Sequence, residues 1–376
     1  MNDMSQSGRT SVRVHLTNVV GAGASQLLLS LLPALESNQN TCVEELYLPD
    51  KGPLKGYLPA SRNTRCIIYR RRLPNAISRI VECTIFGGRF SGATPLLVLG
   101  DLPVRCEGQQ VVFVQTTHLV HASTSNSLSS NIKFWIARLI FALNQNYVAA
   151  FIVQTEFMRS ALLTAYPVLQ DRVHIVAQPV PTWLLENKPQ RRGRTIANDT
   201  GLKLFYPAAV SPHKNHQLLA QVSDSAEWPI ESLQLTLESS SNPAPQVEWV
   251  KCTGFLSAEQ MRKAYAEADA LLFLSLTESY GFPLIESMFI GLPIICPNLA
   301  YARALCGAQA IYFEANDIQS LRQACIELKT RLLRGWKPDW SAQINSLPKD
   351  WDSVASQMLD VLRHAQAYKS ADHNTD

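Results

Sequence analysis

Thr277-Glu278-Ser279-Tyr280-Gly281-Phe282-Pro283-Leu284-Ile285-Glu286-Ser287 is the stretch around which the chain is organised. An apolar run, Ala270-Leu271-Leu272-Phe273-Leu274, precedes it, and Gly291 and Pro293 close it. That order predicts a strand, a polar loop and a helix from about Phe282 to Ile290. Pro283 suits the first helical turn, where its missing N–H costs nothing, and Gly291 suits a left-handed stop. A helix N-terminus offers unpaired N–H groups and a partial positive charge, which favour a phosphate. Gly281 lets backbone approach that phosphate closely. Glu278 falls on the loop, and Glu286 falls about one turn into the helix on the same edge. A carboxylate there accepts two hydrogen bonds from a vicinal diol such as a ribose. On spacing alone, two ordinary acids stabilised near a helix start read the same way.

Seven residues separate the two glutamates, with Gly281-Phe282-Pro283 among them. This E-x7-E pattern behind an apolar strand resembles the signature of the retaining glycosyltransferases of family 4, which have the GT-B fold. The surrounding text is similar too: Glu267-Ala268-Asp269-Ala270 before the strand, then Glu286-Ser287-Met288 and Gly291-Leu292-Pro293-Ile294-Ile295. The resemblance is strong from about Tyr206 to Leu321 and fainter over Val12 to Pro181. It implies an α/β chain of two Rossmann-like domains with a cleft between them. The second domain binds a nucleotide diphosphate-sugar, the first presents an acceptor hydroxyl, and the sugar moves with retention. By the same resemblance Glu286 takes the ribose hydroxyls and Glu278 lies beside the donor sugar. The loop amides, from Ser279, Gly281 and Phe282, hold the diphosphate. The nucleotide sugar is a co-substrate, so no cofactor and no metal are expected. A nucleotide-sugar epimerase of the same fold, or a protein that binds nucleotide sugar without turnover, fits the same signature.

Length and composition agree with two globular domains. The chain has 376 residues, 46 % hydrophobic and 17 % charged, too many for one ordinary core. A net charge of +3 is too small to argue for nucleic acid. Residues 1–180 carry 16 Lys and Arg against 10 Asp and Glu, and residues 181–376 carry 18 against 21. A mildly basic first half suits an acidic substrate or an anionic membrane surface, and also lies within ordinary scatter. The eight cysteines form no C-x-x-C pair, which disfavours zinc and a disulfide framework and favours a reducing compartment. The start, Met1 to Thr10, lacks an apolar signal core. No apolar run reaches the roughly 20 residues of a membrane span. The expected location is cytoplasmic, with surface attachment to a membrane as the furthest alternative.

In the first half, expected as residues 1–180, Val12–Leu16 alternates as a strand, and Gly21-Ala22-Gly23-Ala24 reads as a turn before a helix from about Ser25 to Leu35. Gln26 breaks G-x-G-x-x-G, which disfavours a dinucleotide site. The turn therefore reads as a plain tight turn or as a close-approach loop. The resemblance places such a loop near donor and acceptor, with Gly23 in it. Further strands are expected at Val43–Leu48, Arg65–Tyr69, Leu96–Leu99, Val111–Val114 and Phe151–Val153, giving a mostly parallel sheet that binds ligands beyond its carboxyl ends. Val111–Val114 delivers Gln115, His118 and His121. Similar enzymes often place a histidine on the donor sugar immediately after this strand. Gln115 holds the nearest equivalent position, so the contact falls to His118, His121 or Gln115, with His118 favoured. Arg70-Arg71-Arg72 reads as a solvated loop or a lipid-phosphate contact. Ser127–Leu143 interleaves Lys133, Phe134, Trp135, Arg138 and Phe141, as core-packed or membrane-lying helices do.

Pro179, Pro181 and Pro189 mark a linker into a second domain over 181–349. Leu202–Tyr206 alternates as its first strand, and Lys214 stands where a helix from about Gln217 begins. An ammonium there neutralises a diphosphate, and the resemblance puts a lysine in this place. It also puts an arginine five residues earlier, where this chain has Ala209. Strands are expected at Leu233–Leu237, Val247–Val250 and Ala310–Phe313, and helices at Leu299–Leu305 and Asp317–Leu333. Ser257 and Gln260 form a capping box. Asp350-Trp351-Asp352 is formally a D-x-D, but it opens a helix behind Pro348 and reads as an N-cap. Residues 350–376 are expected to cross back to the first domain and end in a polar tail.

Overall fold

The computed structural model describes residues 9–70, 75–120, 128–191, 194, 196–223 and 227–372. It divides into two compact units, Met1–Pro179 with Pro348–Asp376, and Val180–Leu347.

The first unit holds a seven-stranded sheet. Its strands are β1 (Thr10–His15), β2 (Thr41–Pro49), β3 (Arg65–Tyr69), β4 (Leu96–Val98), β5 (Gln110–Phe113), β6 (Ala150–Val153) and β7 (Val173–Ile175). Their order is β3-β2-β1-β4-β5-β6-β7, and every pairing is parallel. A parallel sheet is covered on both faces, so its inner strands read as continuous apolar runs. Leu96, Leu97 and Val98, then Val111, Val112 and Phe113, are all fully buried. The edge strand β3 is largely exposed and carries Arg65. Strand β7 is a three-residue edge piece that pairs with β6, so the sheet runs one strand past Phe151–Val153. The C-terminal helix Trp351–Asp372 packs in this unit: Asn38 Nδ2 donates to Ser356 Oγ (3.1 Å), and Gln109 Nε2 donates to the Leu362 carbonyl (2.8 Å). Asp350 caps it, accepting from the amide (2.8 Å) and hydroxyl (2.6 Å) of Ser353.

The second unit holds a six-stranded parallel sheet of β8 (Leu202–Tyr206), β9 (Ile230–Leu235), β10 (Val250–Cys252), β11 (Ala270–Leu272), β12 (Ile294–Pro297) and β13 (Ile311–Phe313). The order is β10-β9-β8-β11-β12-β13, the doubly wound arrangement in which strand order reverses beside the first strand. The reversal lies between β8 and β11, and there the following loops part and leave room for a ligand. The corresponding point in the first sheet lies between β1 and β4.

Several expectations change. Gly21 to Ala24 is no turn: Gly21 is the N-cap of the helix Ala22–Ser37, and Gly23 lies in its first turn with nothing within 4 Å of a built Cβ. First-turn amides need no intrahelical partner, so glycine is tolerated there at low cost. The helix expected from Gln217 is a 3-10 segment, His216–Gln221, set off by the left-handed Asn215. The strand expected at Val247–Val250 begins only at Val250. On the Leu128–Asn144 helix Phe141 is fully buried, Phe134 stacks on His118 and Trp135 is exposed. His121, Arg71 and Arg72 lie outside the described residues.

Local caps hold the second unit's helices in register. Ser257 and Gln260 form the full reciprocal box on Ala258–Glu267. Asp317 Oδ1 accepts from the amides of Gln319 (2.9 Å) and Ser320 (3.0 Å) at the start of Ile318–Leu333. Asp317→Ala is expected to lower stability by about 1 kcal/mol, read as a shift of the denaturant midpoint at unchanged slope.

Candidate active site

Two loops meet at the reversal point of the second sheet. One follows β8 and ends in a 3-10 turn, Pro212–Lys214. The other follows β11 and runs through Thr277–Gly281 into the helix Phe282–Ile290. Parallel strands deliver both loops to the same edge, and there Lys214 Nζ pairs with Glu278 Oε1 at 2.5 Å. The two side chains are only 19 % and 11 % exposed, so each charge needs the other. Nothing in the spacing of residues 214 and 278 announces this contact.

Four hydrogen bonds, three of them made by tyrosine hydroxyls, hold the two loops in place. Tyr206, the buried last residue of β8, donates to the Lys214 carbonyl (2.8 Å) and bonds Ser275 Oγ (3.0 Å). The Leu276 amide donates to the His213 carbonyl (2.8 Å). The Tyr301 hydroxyl donates to the Ser275 carbonyl. Burial, helped by the nearby Lys214 charge, lowers the pKa of His213; its ring bonds Ser211 Oγ at 2.7 Å. Burial, then Lys214 and His213, bring His216 down to about 4. Both imidazoles are therefore neutral near pH 7, and the turn's positive charge is concentrated on Lys214.

Gly281 is the N-cap of Phe282–Ile290, with φ 81° and ψ 55°. The left-handed conformation, together with a built Cβ only 3.2 Å from Leu284 Cδ1, explains glycine here beyond any close approach to a phosphate. Pro283 occupies the first turn, and Gly291 ends the helix at φ 80°. Ser279 and Phe282 are half-buried, and the Phe282 ring meets Tyr280 edge-on at 5.1 Å. Thr277 Oγ1 is buried without a hydrogen-bond partner.

Glu286 lies deeper than its sequence position implies. It is 6 % exposed, and its Oε2 accepts from the fully buried Tyr265 hydroxyl at 2.6 Å. Burial pushes its pKa up to about 7 against that hydrogen bond. Tyr265 sits on the capped Ala258–Glu267 helix, edge-on to Phe205 at 5.0 Å. Sequence reading missed this tyrosine. Its one signal is that a phenol on the buried stripe of an amphipathic helix needs a partner for its hydroxyl.

The remaining candidates belong to the first unit. His118 sits in the 3-10 turn Thr117–Leu119 behind β5, stacked on Phe134 at 3.9 Å, and its carbonyl accepts from Arg138 Nε (3.0 Å). Gln115 is tied down: its amide donates to Asp101 Oδ1 (2.5 Å) and its side chain donates to the Leu99 carbonyl (2.8 Å). Asp101, unnoticed in the sequence, also accepts the Thr116 amide (3.1 Å) and has φ 67°. Burial pushes its pKa up to about 6, opposed by those amides and by Arg79. Gly23 lies in the helix behind β1. Ala209, where the resemblance implies an arginine, is exposed.

Residues 193–331 match the family described as Glycosyl transferases group 1. The chain is similar in fold to sucrose-phosphate synthase from Thermosynechococcus elongatus, with a TM-score of 0.65 at 15 % identity over 96 % of this chain and 100 % of that one. It is likewise similar to HepE from Anabaena in complex with UDP and glucose, with a TM-score of 0.56 at 13 % identity over 96 % and 99 %. In sequence it is 26 % identical over 73 residues to the O-antigen chain mannosyltransferase B of Escherichia coli. That match spans 19 % of each protein, about a fifth of the curated relative. The two parallel α/β units have the GT-B architecture of these glycosyltransferases, and the family match falls within the second unit.

The Glu286 carboxyl makes a checkable statement about stability. Its pKa is raised on folding, so the stability it contributes is complete below the ordinary glutamate range and is lost as pH rises through about 7. Glu286→Gln is expected to remove that loss, a gain over the parent on the order of 3 kcal/mol above pH 8. Denaturation at pH 5 and pH 8 reads it, and parallel curves for the two proteins would remove the carboxyl from the titration.

Proposed function

We propose that the chain is a retaining glycosyltransferase. It moves a sugar from a nucleotide diphosphate-sugar to an acceptor hydroxyl in the assembly of a bacterial polysaccharide or a lipid-linked glycan. The observation that carries this reading is the Lys214–Glu278 pair beside the N-terminus of the Phe282–Ile290 helix. Lys214 has three donors and spends one on Glu278, so it can hold a phosphate oxygen without releasing the carboxylate. The helix N-terminus adds amides and a partial positive charge on the same side. The family match over residues 193–331 and the neighbour solved with UDP and glucose support a sugar-nucleotide donor here. The similarity to an O-antigen chain mannosyltransferase supports a glycan acceptor.

In this mechanism the diphosphate leaves against Lys214 and the loop amides of Ser279, Gly281 and Phe282, which stabilise the charge growing on it. Glu278 orients Lys214 and faces the sugar. Glu286, held by Tyr265, accepts the ribose hydroxyls through its other oxygen. The first unit supplies the acceptor. The acceptor proton passes to the leaving phosphate, so no protein nucleophile is required. The donor is the only small molecule in this scheme; no metal enters it.

Thermal shift with UDP, GDP, ADP, dTDP, CMP and NAD tests the donor site first. One nucleoside diphosphate is expected to raise the melting temperature, and silence from all of them would sink the reading. Lys214→Ala is expected to lower turnover by about 10²–10³-fold in a radiolabelled sugar-transfer assay. Glu286→Ala should instead weaken binding of the diphosphate by tenfold or more, on the scale of a lost charged hydrogen bond. An unchanged dissociation constant would take Glu286 off the ribose.

A further inference from the structure

The carboxyl edge of the second sheet runs on beyond the Lys214 turn. The Ala208 amide donates to Thr236 Oγ1 (3.0 Å), and the Gly254 amide donates to the Leu237 carbonyl (2.8 Å). The loops that follow β8, β9 and β10 are therefore tied side by side. From β8 to β10 is two strand spacings, about 10 Å. A nucleotide covers a span of that order from its diphosphate across the ribose to the base. Glu286 meets Tyr265 on the Ala258–Glu267 helix, which leaves the β10 loop. A ribose on that carboxyl therefore lies on the side of the sheet that leads to this loop.

Two side chains stand at the far end of this edge. Phe255 is 78 % exposed. Glu238 is exposed too, and among the described residues its carboxylate has no hydrogen-bond or ion-pair partner. It lies over Gly254, the residue before the phenylalanine: a Cβ built on Gly254 would come 3.1 Å from Glu238 Oε1, and Gly254 has φ 70°. A left-handed glycine there leaves the carboxylate its place. A lone exposed phenylalanine is ordinary. One beside a carboxylate without a cation, at the ligand end of a parallel sheet, offers a face for a base to stack on and two acceptors for its edge.

A carboxylate has acceptors and no donor, and that chooses among the bases. Guanine carries two adjacent donors on its Watson–Crick edge, N1–H and N2–H, and matches both oxygens at once. Uracil offers one, N3–H, between two carbonyls that repel the carboxylate. Adenine and cytosine each set an amino group beside a ring nitrogen that is itself an acceptor. Bidentate, charge-assisted pairs are the strong ones, and a site built to accept a hydrogen bond rejects an analogue that lacks the donor. We propose that Glu238 selects guanine and Phe255 stacks on it, so that the donor is a guanosine diphosphate-sugar; this rests on the donor site proposed above and names its base.

Isothermal titration of the full chain with GDP, IDP, UDP and ADP tests it. Inosine diphosphate differs from GDP only in lacking the N2 amino group. GDP is expected to bind at least about tenfold more tightly than each of the other three. Glu238→Ala should weaken GDP by about tenfold or more and bring GDP and IDP to equal affinity, with UDP and ADP unchanged. Phe255→Ala should weaken all four by about tenfold and keep their order. Both side chains are exposed, so the ligand-free variants should melt with the parent. Tightest binding by UDP or ADP, or a preference for GDP over IDP that survives Glu238→Ala, overturns guanine selection and leaves the donor site standing. Binding by none of the four overturns the donor site as well.

Discussion

The contact on which the second unit depends is the ion pair between Lys214 and Glu278. The two residues come from loops 64 positions apart, and each is largely withdrawn from water. Removing either would leave a poorly hydrated charge with no counterion, a far larger penalty than losing a surface pair. The folding of β8 beside β11 brings the two loops together, and the hydroxyls of Tyr206 and Tyr301 keep them there. The buried aromatic residues at this end of the sheet therefore serve the electrostatics as well as the core.

Around the pair, the other ionisable groups are held away from full charge. His213 and His216 are kept neutral by burial and by the neighbouring lysine. Burial raises the Glu286 carboxyl to about 7, well above the ordinary glutamate range. The result is one concentrated cation, one compensating anion, and a second carboxyl whose charge depends on what lies against it.

Much of the framework was legible because burial on both faces of a parallel sheet leaves an unbroken apolar signature. Ala270-Leu271-Leu272 and Leu96-Leu97-Val98 could hardly be anything else. The helix from Phe282 to Ile290 matched its expected bounds because proline and glycine punctuate both ends. Local chemistry also announced the Ser257–Gln260 box and the Asp350 cap. Contacts across the chain were not legible. Tyr265 reaches Glu286 only because two helices lie side by side, and no short-range pattern encodes that. The paired glycines at 21 and 23 looked like a turn because their helix-start role is a matter of position, and composition does not reveal it. Phe134, Trp135 and Phe141 looked alike in the sequence, yet they point to a stacked, an exposed and a buried environment in turn.

The capped helix Ala258–Glu267 acts as a ruler. Its start is pinned by Ser257, and Tyr265 stands eight residues beyond, two turns and a fraction along the axis. Deleting or inserting one residue between them swings the phenol by about 100°, out of reach of Glu286. The surface loops of this unit can change length freely, but the distance from Ser257 to Tyr265 cannot. Descendants of this chain that keep the hydrogen bond from Tyr265 to Glu286 should hold that interval constant while the text around it drifts.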